Sequence, residues 1–434
     1  MSLELGTFPV NDAVLGTQTR WHGGVLELDL EELQALVRED PLLKDSRLEL
    51  AKPGESARIS SYEDVVEPRV KVSGPGTVYP GVWGRSSEKV GTGRTHRLSG
   101  FAVMECLDMS HLSNTEQLWP SLKMNEHPAA WERFVDMSGP NAERPPFGGL
   151  NLLCLVVRAA EGATGEERRS SMHAATMRLS DRLAATTLDI DPPEMETFDL
   201  TPRSGLPNIA FVPHLASSEW TFGSRSPLGT SVYGMSRLNY PWMLDPTEVL
   251  DGAIYTGGAA GTTWMMVNNP VVLNACRMHG RDVNFKTCVV QRTNWTKEAE
   301  KQLMADRLAH ALKMADIQGA VITNDVRGQR FLEAILSVQA CEREGVKVVL
   351  LTEEEDSESG TAPPLLVSVP ELKAAVSAGT GATLHPFDGV QRSIGGFDTT
   401  QESNMGEIPA IHGRYGTSHF NDIFGYDTQS YDSY

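Results

Sequence analysis

Asn284–Thr352 reads NFKTCVVQ, RTNWTKEAEKQLMADRLAHALKMADIQ, GAVITN, DVRGQRFLEAILSVQACEREG, VKVVLLT, and this stretch decides the fold. The apolar runs Asn284–Gln291, Gly319–Asn324 and Val346–Thr352 predict strands, and the longer periodic segments Thr296–Ala315 and Gly328–Glu344 predict helices. Strands alternating with helices of this length imply right-handed βαβ units on a parallel sheet. After the acidic run Glu353–Gly360, Leu365–Val367 predicts a further strand. Ser368 and Glu371, spaced as a capping box, predict a helix over Pro370–Gly379. From about Phe387 to Tyr434 the chain turns polar and rich in Gly, Tyr and Asp, as a tail wrapping a surface or a partner would be.

Working back toward the N-terminus, Asn208–Leu215 predicts another strand and the Pro-containing, acidic Asp189–Gly205 a linking loop. Leu152–Val157 is a continuous apolar run, as for a strand buried on both faces. Glu167–Thr187 predicts a helix with Met172, Ala175, Leu179 and Leu183 on one face. Ser110–Arg133, with two Trp and two Pro, reads as an irregular excursion. Before it, short strands are expected at Val25–Leu28, Arg47–Leu50, Ala57–Ile59, Arg69–Val72 and Leu98–Met104, with one helix at Asp29–Glu39 capped by Asp29. The fold class is therefore α/β: a strand-rich mixed domain over residues 1–150, an α/β region over 151–270, a doubly wound, Rossmann-like βαβ domain over 271–385 and an extension over 386–434.

At 434 residues the chain exceeds a single compact core. Lys plus Arg number 38 against 57 Asp plus Glu, a net charge of −19. So acidic a surface repels phosphate backbones and anionic lipid, which argues against nucleic-acid and membrane partners. The five cysteines are scattered and never paired as C-x-x-C, as expected of reduced, buried thiols in the cytoplasm. No signal peptide or membrane-spanning run is evident.

Asp251–Pro270, DGAIYTGGAAGTTWMMVNNP, is the barest part of the chain. An apolar strand at Ala253–Tyr255 runs into Gly257, Gly258, Ala259, Ala260 and Gly261, then into Thr262 and Thr263, and stops at Asn268, Asn269 and Pro270. Exposed backbone followed by two hydroxyls suits a binding or reacting segment, or a tight surface loop. Gly91–His96 (GTGRTH) offers Arg94 and His96 to a carboxylate, or to local carbonyls. Asp136–Glu143 (DMSGPNAE) offers Asp136 and Glu143 for an amine or for general-base work, or forms an Asx-type turn. No G-x-G-x-x-G, phosphate loop or G-x-S-x-G is present. His385, His412 and His419 with Asp388 and Asp398 match no ligand spacing, so no metal is expected.

Leu48–Ile59 (LELAKPGESARI), Glu67–Gly76 (EPRVKVSGPG), Val90–Gly100 (VGTGRTHRLSG), Val135–Phe147 (VDMSGPNAERPPF), Pro246–Ile254 (PTEVLDGAI) and Asn268–Val271 (NNPV) together resemble the glycine/sarcosine/betaine reductase component B proprotein, which supplies that family's alpha and beta subunits. The resemblance covers nearly the whole chain, in the family's order. It implies a second component B-like subunit as partner, from the selenoprotein B family or its cysteine homologue. It also implies reductive cleavage of a C–N bond in a small amino-acid-like substrate.

Family members cut themselves at a cysteine in the Gly-rich stretch and leave a pyruvoyl cofactor there. Gly257–Gly261 here holds neither Cys nor Ser, so the chain is expected to stay uncut and to lack pyruvoyl. Thr262 and Thr263 are the nearest nucleophiles, able in principle to give a 2-oxobutanoyl group instead. Substrate is expected to meet Arg94, His96, Asp136, Glu143, Gly258, Gly261, Asn268 and Asn269. A non-catalytic scaffold subunit and a redeployed biosynthetic lyase or hydrolase are the alternatives.

Overall fold

The computed structural model describes residues 2–108, 134–143, 146–158, 160–215, 230–235, 240–256, 261–293, 297–324, 329–354, 365–380 and 389–395. The excursion expected at Ser110–Arg133 lies outside them, as does nearly all of the C-terminal extension.

The parallel sheet forms as predicted and has six strands in the order Trp242–Leu244, Asn284–Arg292, Asn208–Leu215, Gly319–Asn324, Lys347–Glu354 and Ala375–Thr380. All neighbours run parallel except Trp242–Leu244, which is antiparallel at one edge. Helices Glu298–Met314 and Gln329–Arg343 cover one face, packing Leu308, Leu312, Ile335 and Val338 on Val212, Ile322 and Leu350. Short helices Pro246–Leu250, Thr263–Val267 and Pro270–Met278 supply Val249, Met265, Met266 and Val272 to the other core, with Phe211, Phe285 and Val290. The fold is α/β, with a hydrophobic core packed on each face of the sheet.

The N-terminal strands form two four-stranded sheets, in the orders Glu194–Asp199, Ser2–Pro9, Gly93–Ser99, Arg69–Ser73 and Arg47–Ala51, Asn151–Val157, Phe101–Leu107, Tyr62–Val66. Helix Gly165–Ala184 lays Met172, Ala175, Leu179 and Leu183 against Phe101, Val103, Leu153 and Leu155. Its N-terminus carries a capping box between Thr164 and Glu167. Among the described residues, no helix is long and apolar enough to cross a membrane.

Four elements differ from the sequence reading. Leu98–Met104 is split at Gly100 (φ +82°), where a Cβ would lie 2.8 Å from the Val10 carbonyl oxygen, and its halves enter different sheets. Asp189–Gly205 contains the strand Glu194–Asp199, a polar edge strand that buries only Phe198 and so shows little apolar signal. Pro370–Gly379 is a turn followed by a strand. Glu371 bonds Gln339 (3.0 Å) and Arg343 (2.7 Å) of the neighbouring helix rather than capping its own. Leu365–Val367 is not a strand. Within the C-terminal extension, Arg392–Gly395 pairs in parallel with Ala57–Ser60.

Ile322 is fully buried at the middle of the parallel sheet. Ile322→Ala should cost about 2–5 kcal/mol in denaturant unfolding, by lost transfer energy plus the cavity left behind.

Candidate functional site

The Gly-rich segment is gripped on both flanks from the N-terminal sheets. On the leading side, buried Asp251 accepts from the Gly91 amide (2.7 Å) and the Thr95 hydroxyl (2.5 Å) and pairs with Lys71. Gly91 has φ +96°, and a Cβ there would lie 2.8 Å from the Glu248 nitrogen, so the close approach requires glycine. The buried Arg69 guanidinium reaches both flanks. It donates to the Leu250 carbonyl (2.5 Å) before the segment and to Asn268 Oδ1 (2.8 Å) after it, while Glu67 (2.6 Å) balances its charge. Arg97 adds a second bond to Asn268 Oδ1 at 3.1 Å.

Between these clamps, Thr263 opens the short helix Thr263–Val267 over strand Tyr62–Val66. One carboxylate holds it twice: its amide donates to Asp64 Oδ1 and its hydroxyl to Asp64 Oδ2, both at 2.7 Å. The Thr256 amide donates to the same hydroxyl at 3.3 Å, and Thr256 Oγ1 donates to the Gly261 carbonyl at 3.0 Å. Thr262 is the helix N-cap, its hydroxyl accepting from the Met265 amide.

Behind Asp64, strand Phe101–Leu107 presents Glu105 and helix Gly165–Ala184 presents His173, both fully buried. His173 Nδ1 lies 2.8 Å from Glu105 Oε1 and 2.7 Å from Oε2. The Tyr255 ring stands edge-on to His173 with centroids 6.0 Å apart, and the Trp83 indole lies at 5.8 Å.

Water is excluded, so these charges govern one another. Burial, and then the charge of Glu105, pushes the Asp64 carboxyl up to about 7 despite the bonds from Thr263. Burial alone would lower His173, but the charge and hydrogen bond of Glu105 outweigh it and hold the imidazole above its ordinary value. Burial, with Glu105 and Asp64 behind it, keeps the Tyr255 phenol well above the usual phenol range. The centre thus sets an imidazole whose cationic form is favoured by Glu105 beside a carboxyl poised between its two states near neutral pH.

Sequence reasoning placed Thr262, Thr263, Gly261, Asn268 and Asn269 in one region, and they lie together here. Asn269 caps helix Pro270–Met278 through the Val272 amide. Gly258 lies outside the described residues, as do His385, Asp388, Asp398, His412 and His419.

Arg94, His96 and Asp136 are engaged by partners other than Thr263. Arg94 donates to Glu4 (2.8 Å), and buried His96 packs at a tilt against Phe8 with Nδ1 3.1 Å from the Thr187 carbonyl. Burial holds the His96 pKa down. Asp136 forms a two-pronged buried pair with Arg58 (2.5 and 2.9 Å), whereas Glu143 is exposed. Among the described residues, no cluster of three metal-ligating side chains occurs.

Asp64, Glu105, His173 and Tyr255 escaped the sequence reading. Their signal was an ionisable residue inside an otherwise apolar element: YEDVV, FAVMECL and the Met172–Ala175 face of a helix. The five cysteines are all buried, and burial raises the thiol pKa of Cys106, Cys276, Cys288 and Cys341.

A carboxyl raised from 3.8 to about 7 by folding binds its proton more tightly in the native state. Its favourable contribution is complete below about pH 4 and is lost as pH rises through about 7. Thermal or urea unfolding from pH 4 to 8 should therefore show a flatter decline in stability with rising pH for Asp64→Asn than for the unmodified chain.

Residues 1–413 match the family model of the glycine/sarcosine/betaine reductase component B subunits. The chain is 30% identical over 411 residues to the sarcosine reductase complex component B subunit alpha of Peptoclostridium acidaminophilum, covering 92% of this chain and 90% of that protein. It is 28% identical over 439 residues to the glycine reductase complex component B subunits alpha and beta of the same organism, covering 95% and 96%. The betaine reductase complex component B subunit alpha, again from that organism, is 30% identical over 405 residues, covering 88% and 85%. No solved structure matches the chain. With a family model spanning residues 1–413, the chain belongs to the family of glycine/sarcosine/betaine reductase component B subunits.

Proposed function

We propose that this chain is the substrate-binding subunit of a cytoplasmic, reductase-like component B complex. Its substrate is a small amino-acid-like compound of the N-substituted glycine type, whose C–N bond is cleaved reductively. The observation that carries this reading is the buried centre in which Thr263–Asp64 and His173–Glu105 lie together beside Tyr255. A site with one held cation and one carboxyl near neutrality can hold an amine and deliver the proton its departure requires. The thiol or selenol comes from a second component B-like subunit, because this chain's own cysteines are buried.

The residues present do not fit a pyruvoyl group. Gly257–Gly261 offers no Cys or Ser, and the hydroxyl at hand belongs to threonine. The proposal therefore has the chain remain uncut, with its roles confined to binding, orientation and proton supply. Arg94 and Asp136, already engaged by Glu4 and Arg58, are not given the binding role.

One observation favours a second reading. Asp64 grips both the amide and the hydroxyl of Thr263, the two atoms between which an N-to-O acyl shift would pass the Thr262 carbonyl. Intact mass separates the readings: a single species of 47.4 kDa supports the uncut subunit, and two fragments meeting before Thr263 support the cut one.

Purified with its genomic neighbour, the chain should support thiol-dependent cleavage of glycine, sarcosine or betaine, and alone it should not. Asp64→Asn and His173→Asn should each lower kcat about 100-fold or more. Arg277→Ala, which breaks an exposed pair with Glu196, should change little. Activity from the isolated chain would overturn the division of labour.

A further inference from the structure

Strand Trp242–Leu244 ends the six-stranded sheet at one side and pairs with Asn284–Arg292; among the described residues no strand joins its outer edge. An edge in that state is a template for another chain. All three residues of the strand line a groove of about 490 Å³, a volume within the range of natural binding clefts.

Lys89, Tyr233, Glu248 and Lys286 supply the charged and phenolic lining. The first three satisfy one another. Lys89 pairs with Asp245 (2.8 Å) and Glu248 (3.2 Å), and Tyr233 Oη accepts from the Val90 amide (3.1 Å) and bonds to Glu248. Lys286 differs: it donates to the Ala315 carbonyl (2.6 Å) and has no carboxylate partner among the described residues. In a chain with 57 acidic residues against 38 basic ones, a half-buried lysine without an acid leaves a place for one from outside.

The mouth of the groove is apolar. Met235 and Met243 line it at 44% and 42% exposure. Tyr240 (63%) and Met314 (76%) stand next to it in the chain, beside the lining residues Trp242 and Ala315. Methionine and aromatic side chains are the types enriched at the centre of protein interfaces, and the thioether adapts to an irregular partner surface. The groove is also preformed. Tyr233 is held at φ 52°, unusual for a bulky residue, in a turn closed by reciprocal backbone bonds between Val232 and Met235 (2.9 and 3.1 Å). Little ordering is then needed on binding.

We propose that this groove docks the second component B-like subunit, through an extended segment that seats an apolar side chain among Met235, Trp242 and Met243 and brings a carboxylate to Lys286. The existence of that subunit rests on the function proposed above; the surface that receives it rests on the groove. A second copy of this chain is a poor occupant, because two molecules of net charge −19 repel. The wall of the groove continues into the clamp on the Gly-rich segment: Val90, bonded to Tyr233, precedes Gly91, whose amide holds Asp251. A partner seated here therefore bears on the leading flank of that segment.

The test uses the full chain and its purified genomic neighbour, with affinity measured by sedimentation and thiol-dependent cleavage assayed on the same samples. Met243→Asp should weaken the complex about 30-fold or more, as loss of a central interface residue does. Lys286→Met should weaken it about 10-fold and flatten its dependence on salt. Leu15→Asp, at an exposed position of strand Asp12–Leu15, should change neither. Thermal melting of the Met243→Asp and Leu15→Asp chains should stay close to that of the unmodified chain. Hydroxyl-radical footprinting reads the same surface without substitution. Met235, Met243 and Met314 should oxidise several-fold more slowly in the complex, and Met195, on an edge strand of another sheet, at the same rate in both.

A complex whose affinity ignores Met243→Asp, or whose Met235 and Met243 oxidise at the rate of the isolated chain, would overturn the docking surface and leave the reductase reading standing. Met243-dependent association in a complex that cleaves no amino acid would retain the surface and remove that reading. Absence of any complex, or a homodimer of this chain dispersed by Met243→Asp, would overturn the assignment of the occupant.

Discussion

The buried guanidinium of Arg69 is the interaction on which the rest depends. A cation taken out of water persists only when its donors are met, and Arg69 meets them with Glu67, two backbone carbonyls and Asn268. Those acceptors come from residues 250, 267 and 268, far along the chain from strand Arg69–Ser73. The strand can bury its arginine only if both flanks of the Gly-rich segment come to it. A segment poor in side chains has little packing of its own to fix its path. Here its two flanks are fixed from outside, by charge satisfaction.

The same economy of charge organises the interior beyond it. Two carboxylates, Asp64 and Glu105, are fully buried on neighbouring strands, an arrangement that would be strongly unfavourable if both stayed charged and unpaired. The protein resolves this unequally. Glu105 receives the His173 cation, and Asp64 receives two hydrogen bonds from Thr263 and a raised pKa. The two carboxyls thus sit in different electrostatic surroundings, one facing an imidazole and the other held by the donors of Thr263.

How much of this the chain's letters reveal depends on which physical signal writes them. Periodicity disclosed the parallel sheet because strands buried on both faces and helices with one apolar stripe obey it directly. Glu194–Asp199 was opaque because an edge strand facing solvent need not alternate. Pro370–Gly379 misled because a capping-box spacing is local, whereas Arg343 and Gln339, distant in sequence, claimed Glu371. The site followed the same rule. Thr262, Thr263 and the paired asparagines were legible as a contiguous motif. Asp64, Glu105, His173 and Tyr255 come from four separate elements, and only folding brings them together. For Arg94 and Asp136 the letters left a ligand or local partners open, and folding supplies Glu4 and Arg58 as partners.

The threonine at position 263 shows how far the fold constrains chemistry. Its hydroxyl is not an exposed surface group. It accepts from the Thr256 amide and donates to Asp64, while its own amide is tied to the same carboxylate. Two partners fix the oxygen within the low-dielectric core, next to a carboxyl that can take a proton near neutral pH. β-Branching restricts χ1, so the side chain is stiff even before these bonds are made. On the function proposed, such a group orients a bound amine, and the reductive step needs a soft nucleophile that no thiol of this chain supplies from its buried position. On that same function, the interior serves binding, charge balance and proton supply, and the sulfur or selenium chemistry falls to the partner subunit.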